Sequence, residues 1–189
     1  IFVAAGPSQG LADILFAAGN CGRDCPDGRC GGVTANAMYG ANSHPAVISV
    51  AGVDLTRQRV GYSTQGPGRL ARNKPDLCGY THFRGSGVYP ADGGTSAATP
   101  VVAGVVAAVR SKRPLNPSSP ATRPAAIRAL LRATAIDLEA SGFDFDTGYG
   151  VVDGCALYRR LRGRVLVDLC RRFPQLCQPV PVPPDFCTR

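Results

Sequence analysis

The chain holds no tryptophan, one methionine, two histidines (His44 and His82) and two lysines (Lys74 and Lys112) in 189 residues. With so little lysine, the formal net charge of +8 rests almost wholly on arginine. Aromatic residues make up 7% of the chain, and no run of them interleaves with the arginines. The stacking platforms of a single-strand nucleic-acid groove are therefore missing. Nucleic acid is not expected as a partner, and Arg159, Arg160, Arg162, Arg164, Arg171 and Arg172 read as a solvated face. No apolar run approaches the roughly 20 residues that cross a bilayer, so no membrane partner is expected. The opening Ile1-Phe2-Val3-Ala4-Ala5 is apolar but too short for a signal peptide. It reads as the interior of a longer chain, whose sheet would be cut partway and left with an open edge.

What is present suits a globular core. Hydrophobic residues make up 44% of the chain, and apolar segments of strand and helix length alternate, which predicts an α/β architecture. Strands are predicted at Ile14–Ala17, Val47–Val53 and Asp76–Cys78, and a buried helix at Ser96–Arg110. Ser111 to Pro124 is a proline- and serine-rich connector. Ile127, Leu130, Leu131 and Thr134 then recur at helical spacing, with Arg128 and Arg132 on the other side, predicting an amphipathic helix over Ala125–Ala135. A further helix is predicted at Leu157–Phe173, and Gln178–Arg189 is a proline-rich, extended end. Two regions follow: residues 1–157 as the main domain and 158–189 as an arginine-, cysteine- and proline-rich extension.

Eight cysteines are many for a cytosolic enzyme. Cys21, Cys25 and Cys30 cluster in one loop, and Cys170, Cys177 and Cys187 gather near the end, while Cys78 and Cys155 are dispersed. An even number suggests disulfides and hence a secreted or cell-envelope protein. Thiolates from the loop cluster could instead hold zinc, although the spacing has no tight C-x₂-C knuckle.

The chemistry concentrates in Gly93-Gly94-Thr95-Ser96-Ala97-Ala98-Thr99-Pro100. A glycine pair delivers Ser96 to the start of an apolar helix, with Pro100 expected in its first turn, where the missing N–H does no harm. A hydroxyl there faces open N–H donors and the positive end of the helix dipole, which suits chemistry that builds negative charge. The bland reading is a serine cap on a buried helix. A second segment, Ala17-Ala18-Gly19-Asn20, closes a predicted strand with a carboxamide at a turn. Such an amide is a neutral, fixed donor for an oxyanion, although asparagine after glycine is more often only a turn residue.

These segments resemble the subtilisin-like serine peptidases. G-T-S-x-A-x-P resembles that family's nucleophile motif and A-A-G-N its oxyanion block. Between them His44-Pro45-Ala46-Val47-Ile48, Tyr62-Ser63-Thr64-Gln65-Gly66 and Lys74-Pro75-Asp76-Leu77 resemble further family segments, and Gly148-Tyr149-Gly150-Val151-Val152-Asp153 the closing one. Six blocks in the family's order are far more specific than any one of them. The resemblance implies a three-layer αβα fold with a mostly parallel sheet, incomplete on the N-terminal side. It also implies a polypeptide substrate, Ser96 as nucleophile and Asn20 as oxyanion donor. Ala17, Ala18 and Gly19 would line the acyl side of the cleft, and Gly94 and Thr95 would set the serine's approach. Calcium is common in such proteins, but no ligand set can be named and no other cofactor is implied.

The departures are equally specific. The family's aspartate and histidine precede the asparagine block, and neither a D-x-G nor an H-G-x-H segment lies upstream of Asn20. His44 precedes a proline at a strand entry, and His82 lies where the family has an A-P-G turn. A serine without a base in hydrogen-bond reach is a poor nucleophile. The chain is therefore expected to be inactive alone, with the missing N-terminal half as partner in cis or in trans. A non-catalytic pseudopeptidase or peptide-binding scaffold is the alternative, and a disulfide- or zinc-stabilised interaction module a third.

Overall fold

The computed structural model describes residues 12–25, 30 and 38–162. Three parallel strands, β1 (Leu15–Ala17), β2 (Ile48–Val53) and β3 (Leu77–Tyr80), lie in the order β1-β2-β3. Leu15 pairs with Ile48 and Val50 with Leu77. β2 reads Ile-Ser-Val-Ala-Gly-Val and is buried at every position, as expected of a parallel strand covered on both faces. On one face Ile48, Val50 and Leu77 meet the helices α1 (Gly94–Lys112), α2 (Pro124–Thr134) and α3 (Gly154–Arg162). On the other, Ala51, Val53 and Cys78 pack with Ala18, Met38 and Val151. Parallel sheet and covering helices make the architecture α/β.

α1 is the element that carries Ser96. Val102, Val106 and Val109 lie along one stripe and are buried against the sheet. Glycine lets the helix come close: a Cβ on Gly79 of β3 would stand 2.3 Å from the Ala98 carbonyl oxygen. The helix starts two residues earlier than its apolar pattern predicts, because Gly94 (φ 77°) already turns the chain into it. Pro100 therefore lies inside the helix and not in its first turn. The proline has no N–H to offer the Ser96 carbonyl, which loses its intrahelical partner.

α2 begins with Pro124 at its first position, where proline's fixed φ suits a helix start. Ile127 and Leu131, one turn apart, are its buried contacts. α3 starts at Gly154, before the predicted Leu157, and runs across the boundary drawn at 157. The rest of the helix predicted to Phe173, the proline-rich end, Cys170, Cys177 and Cys187 lie outside the described residues.

A buried charge cluster ties the strands together. Lys74 and Asp76 are 1% and 0% exposed, and the Lys74 ammonium donates to an Asp76 oxygen at 2.5 Å and to the Val47 carbonyl at 2.7 Å. Asp76 also accepts from the Ser49 N–H at 2.7 Å and pairs with Arg132. Burial lowers the Lys74 pKa, and the facing Asp76 carboxylate opposes that shift.

Candidate active site

The site forms where β3 runs out and α1 begins. After β3 the chain passes Thr81 and His82, and an antiparallel bridge between Phe83 and Asp92 closes the intervening loop. Gly93 and Gly94 then turn the backbone into α1, and Ser96 sits exposed on its first turn. A buried tyrosine fixes this turn. The Gly94 N–H donates to the Tyr62 hydroxyl at 2.8 Å, and the Thr81 hydroxyl donates to the Gly94 carbonyl at 3.0 Å. Tyr62 and Thr81 hydroxyls lie 3.3 Å apart. Because Thr81 has spent its proton on Gly94, Tyr62 must be the donor of that pair. Burial raises the Tyr62 pKa and so keeps that proton in place.

Asn20 reaches the same turn from the end of β1. Its Oδ1 accepts from the Thr95 N–H at 3.0 Å and from the Thr95 hydroxyl at 2.9 Å. That hydroxyl in turn accepts from the Gly19 N–H at 3.2 Å. With Oδ1 claimed twice, the carboxamide cannot flip, and its Nδ2 faces Gly94. A Cβ added there would stand 3.1 Å from Nδ2, so glycine leaves the room that the carboxamide fills. Gly19 (φ 112°) passes Thr64 closely, and Thr64 holds both neighbours of Asn20: its N–H donates to the Gly19 carbonyl at 2.9 Å and its hydroxyl accepts from the Cys21 N–H at 2.8 Å.

Of the residues expected in the site, Gly19, Asn20, Gly94 and Thr95 are thus joined by hydrogen bonds or close approach, and Ser96 follows directly. Ala17 is half-buried at the end of β1. Ala18 turns its methyl into the core, at 1% exposure, and its carbonyl accepts from Asn42 Nδ2 at 2.9 Å. A cavity of about 500 Å³ opens beside Ser96 and Gly93, bounded by Phe83, Tyr89, Pro100 and Val101 among others.

Neither histidine sits in that cavity. His44 Nδ1 accepts from the Ala46 N–H at 3.1 Å and so shapes the turn into β2. His82 is 1% exposed, with a left-handed backbone (φ 59°) and its ring packed on Tyr62. Burial lowers its pKa and so disfavours the charged imidazolium, with Asp54 opposing.

The loop after Asn20 is cross-linked between Cys21 and Cys30, and Cys25 is disulfide-bonded as well. Sulfurs engaged in disulfides are not thiolate ligands, so this loop does not offer the zinc site weighed above. Among the described residues no group of three or more His, Cys, Asp or Glu side chains could hold a metal ion.

Sequence reasoning had no role for Tyr62, Thr64 or Arg59. The first two stand in a quoted segment, but nothing in their spacing says which backbone groups they hold. Arg59 is 4% exposed, where an arginine is expected in water. It donates to the carbonyls of Val60, Gly61 and Ser63 and pairs with Asp24 and Asp146. It thereby shapes the turn that carries Tyr62 and Thr64.

The chain is similar to several known proteases. Human membrane-bound transcription factor site-1 protease is 33% identical over 142 residues, covering 66% of this chain and 13% of that protein. Fervidolysin of Fervidobacterium pennivorans is 34% identical over 128 residues, covering 58% of this chain and 18% of fervidolysin. The crystal structure of fervidolysin, a keratinolytic enzyme related to subtilisin, superposes with a TM-score of 0.52 at 26% identity, over 79% of this chain and 22% of that one. The prenylagaramide maturation protease PagA gives a TM-score of 0.54 at 21% identity, over 80% and 51%, a likeness of fold. The chain spans 13% to 18% of the length of these two sequence relatives. The family model for subtilases matches residues 5–150, and the chain belongs to the subtilase family.

Proposed function

We propose that this chain supplies the nucleophile and the oxyanion donors of a serine endopeptidase. Ser96 Oγ attacks the scissile carbonyl carbon, and its proton passes to an imidazole furnished by residues outside this chain, in cis or in trans. The carbonyl oxygen takes up the negative charge and accepts from Asn20 Nδ2 and the Ser96 N–H. The C–N bond then breaks, the proton goes to the leaving amine, and water releases the acyl group from Ser96 by the same steps in reverse roles. Ala17, Ala18 and Gly19 form the acyl-side wall, and Gly94 and Thr95 set the approach of the serine. The substrate is a polypeptide, and the disulfide after Asn20 fits a secreted or cell-envelope protein.

The observation that carries this reading is the double claim on Asn20 Oδ1 by Thr95, which points a neutral N–H donor beside the nucleophile turn. Removing one such donor lowers kcat by about 10²–10³ in the family's own well-studied case. The test is a fluorophosphonate probe, with adducts located by peptide mass spectrometry and Ser96→Ala as control. The full chain alone is expected to remain unlabelled. Adding the upstream segment of the same protein should bring an adduct to Ser96 only. Failure of the folded, reassembled protein to label at Ser96 overturns catalysis and leaves a peptide-binding scaffold.

A further inference from the structure

The helix that carries Ser96 does little by itself to hold its first turn. Gly93 at the cap brings no side-chain bond, and no acidic residue stands in the first turn to answer the open N–H groups. Gly94 enters at a φ of 77°, and Pro100 leaves the Ser96 carbonyl without its intrahelical donor. The Thr99 hydroxyl braces the Thr95 carbonyl at 2.7 Å, but Gly94 is held from outside the helix. Three hydrogen bonds close a ring on that one residue. The Gly94 N–H donates to the Tyr62 hydroxyl at 2.8 Å, Tyr62 donates to the Thr81 hydroxyl at 3.3 Å, and Thr81 donates to the Gly94 carbonyl at 3.0 Å. Each hydroxyl gives one proton and receives one, so the ring runs in a single direction. Removing either hydroxyl leaves a Gly94 backbone group without this partner.

Tyr62 is itself held on several sides. It is 8% exposed, its ring packs on His82 with centroids 5.7 Å apart, and the Arg59 guanidinium donates to the carbonyls of both its neighbours, Gly61 and Ser63. The Ser63 hydroxyl accepts from the Gly52 N–H at 2.9 Å and ties the turn to β2. The backbone of Tyr62 serves the other half of the site. Its carbonyl accepts from the Gly22 N–H at 2.7 Å, two residues beyond Asn20. One residue thus holds the Asn20 segment by its carbonyl and the Ser96 turn by its hydroxyl. We propose that Tyr62 is a positioning residue that sets the direction of Ser96 and its spacing from Asn20, with Thr81 as the second member of the device. The proposal rests on Ser96 being the nucleophile and adds the residues through which the fold sets its rate. Neither Tyr62 nor Thr81 lines the cavity beside Ser96, so both act through Gly94. Their loss lowers the rate of acylation without weakening the binding that precedes it, because a reacting atom misplaced by about 1 Å can cost on the order of 100-fold.

The test follows fluorophosphonate acylation of Ser96 in the full chain reassembled with its upstream segment. A range of probe concentrations separates the limiting rate from the half-saturating concentration. Tyr62→Phe keeps the ring and removes only the hydroxyl. It is expected to lower the limiting rate by about ten- to a hundredfold and to leave half-saturation unchanged. Thr81→Val should do the same, while Thr81→Ser, which keeps the hydroxyl, should retain most of the rate. Tyr80→Phe is the control for losing a phenol: that hydroxyl accepts from Arg57 Nε at 3.4 Å, and the rate should match the parent's. In the full chain alone, exchange of the Gly94 N–H followed by NMR should quicken by about three- to tenfold in Tyr62→Phe, the scale of one hydrogen bond. A parent-like rate in Tyr62→Phe, a loss confined to half-saturation, a Thr81→Ser loss as large as that of Thr81→Val, or unchanged Gly94 exchange overturns the proposal. The two readings fail differently. A reassembled parent that does not label removes catalysis and positioning together, and a parent that labels no faster than Tyr62→Phe removes positioning alone.

Discussion

Gly79→Ala is a one-carbon change that tests how α1 is seated. The added Cβ would lie 2.3 Å from the Ala98 carbonyl oxygen, 3.0 Å from its carbon and 3.1 Å from Val102 Cγ2. Carbon–oxygen contacts close no nearer than about 3.3 Å, so α1 must retreat by about 1 Å. The nearest atoms are helix backbone, which cannot swing aside as a side-chain tip can. Such overpacking costs about 1–3 kcal/mol. Glycine in a strand interior is itself worse than alanine by roughly 0.5–1 kcal/mol, which offsets part of that loss. A net loss of about 0.5–2 kcal/mol is expected. With a urea m-value near 2 kcal/mol/M, the midpoint falls by roughly 0.25–1 M at unchanged slope. Gly104→Ala is the internal control. It lies on the same helix with nothing within 4 Å of its new Cβ, and should stabilise by up to about 1 kcal/mol. The retreat also carries Thr95 away from Asn20, so the Thr95 amide and hydroxyl protons that bond Asn20 Oδ1 should exchange faster. A Gly79→Ala chain as stable as the parent, with those protons unchanged, would refute the close seating of α1 on β3.

Two further substitutions probe the site. Thr95→Val removes a hydroxyl that is 1% exposed and bridges Gly19 to Asn20. It should cost about 1–3 kcal/mol in urea unfolding, while Thr95→Ser, which keeps the hydroxyl, should retain most of the stability; a Thr95→Val chain as stable as the parent would refute the bridging role of the hydroxyl. His82 has its pKa lowered by burial from the ordinary 6.5. The unfolded chain therefore takes up a proton below pH 6.5 that the folded chain resists, so the His82 contribution is intact above that pH and is lost as pH falls towards the folded pKa. His82→Asn, which tolerates the same left-handed backbone, should flatten the fall in urea midpoint between about pH 7 and pH 5; an unchanged slope would show that other groups carry it.

The framework was legible because it is written in period and composition. β2 carries no polar residue but Ser49 and holds β-branched Ile48, Val50 and Val53, and Ile127 and Leu131 repeat at one helical turn. Their burial follows from hydrophobicity alone. The start of α1 was misjudged by two residues because apolarity marks where a helix is buried, not where its backbone turns. That point is set by the left-handed φ of Gly94, which costs little only in glycine. The polar framework was illegible for a different reason. Arg59, Lys74 and Asp76 are charged types whose default is water, and they are buried only because carbonyls and opposite charges from distant segments converge on them. Asn42 and Ser49, which reach Ala18 and Asp76, are likewise ordinary turn and strand residues until the sheet brings them together. The loop over the cavity carries no period at all, so Phe83 and Tyr89 had no signal beyond being apolar in a polar stretch.

On the proposed function, Asn20 shows why half a site can be fully shaped. An oxyanion donor is useful only if its orientation is paid for before the charge arises. Here the orientation comes from Thr95 and, through Gly19 and Cys21, from Thr64. Tyr62 and Thr81 fix Gly94 independently of any base. All of these partners lie within residues 19–95, so the donor geometry does not wait for an imidazole. On the proposed reading, acid–base chemistry and charge stabilisation are separable in this chain. A base delivered from elsewhere would meet a nucleophile turn already set, and its arrival should change the reactivity of Ser96 while leaving the Asn20 carboxamide where it stands.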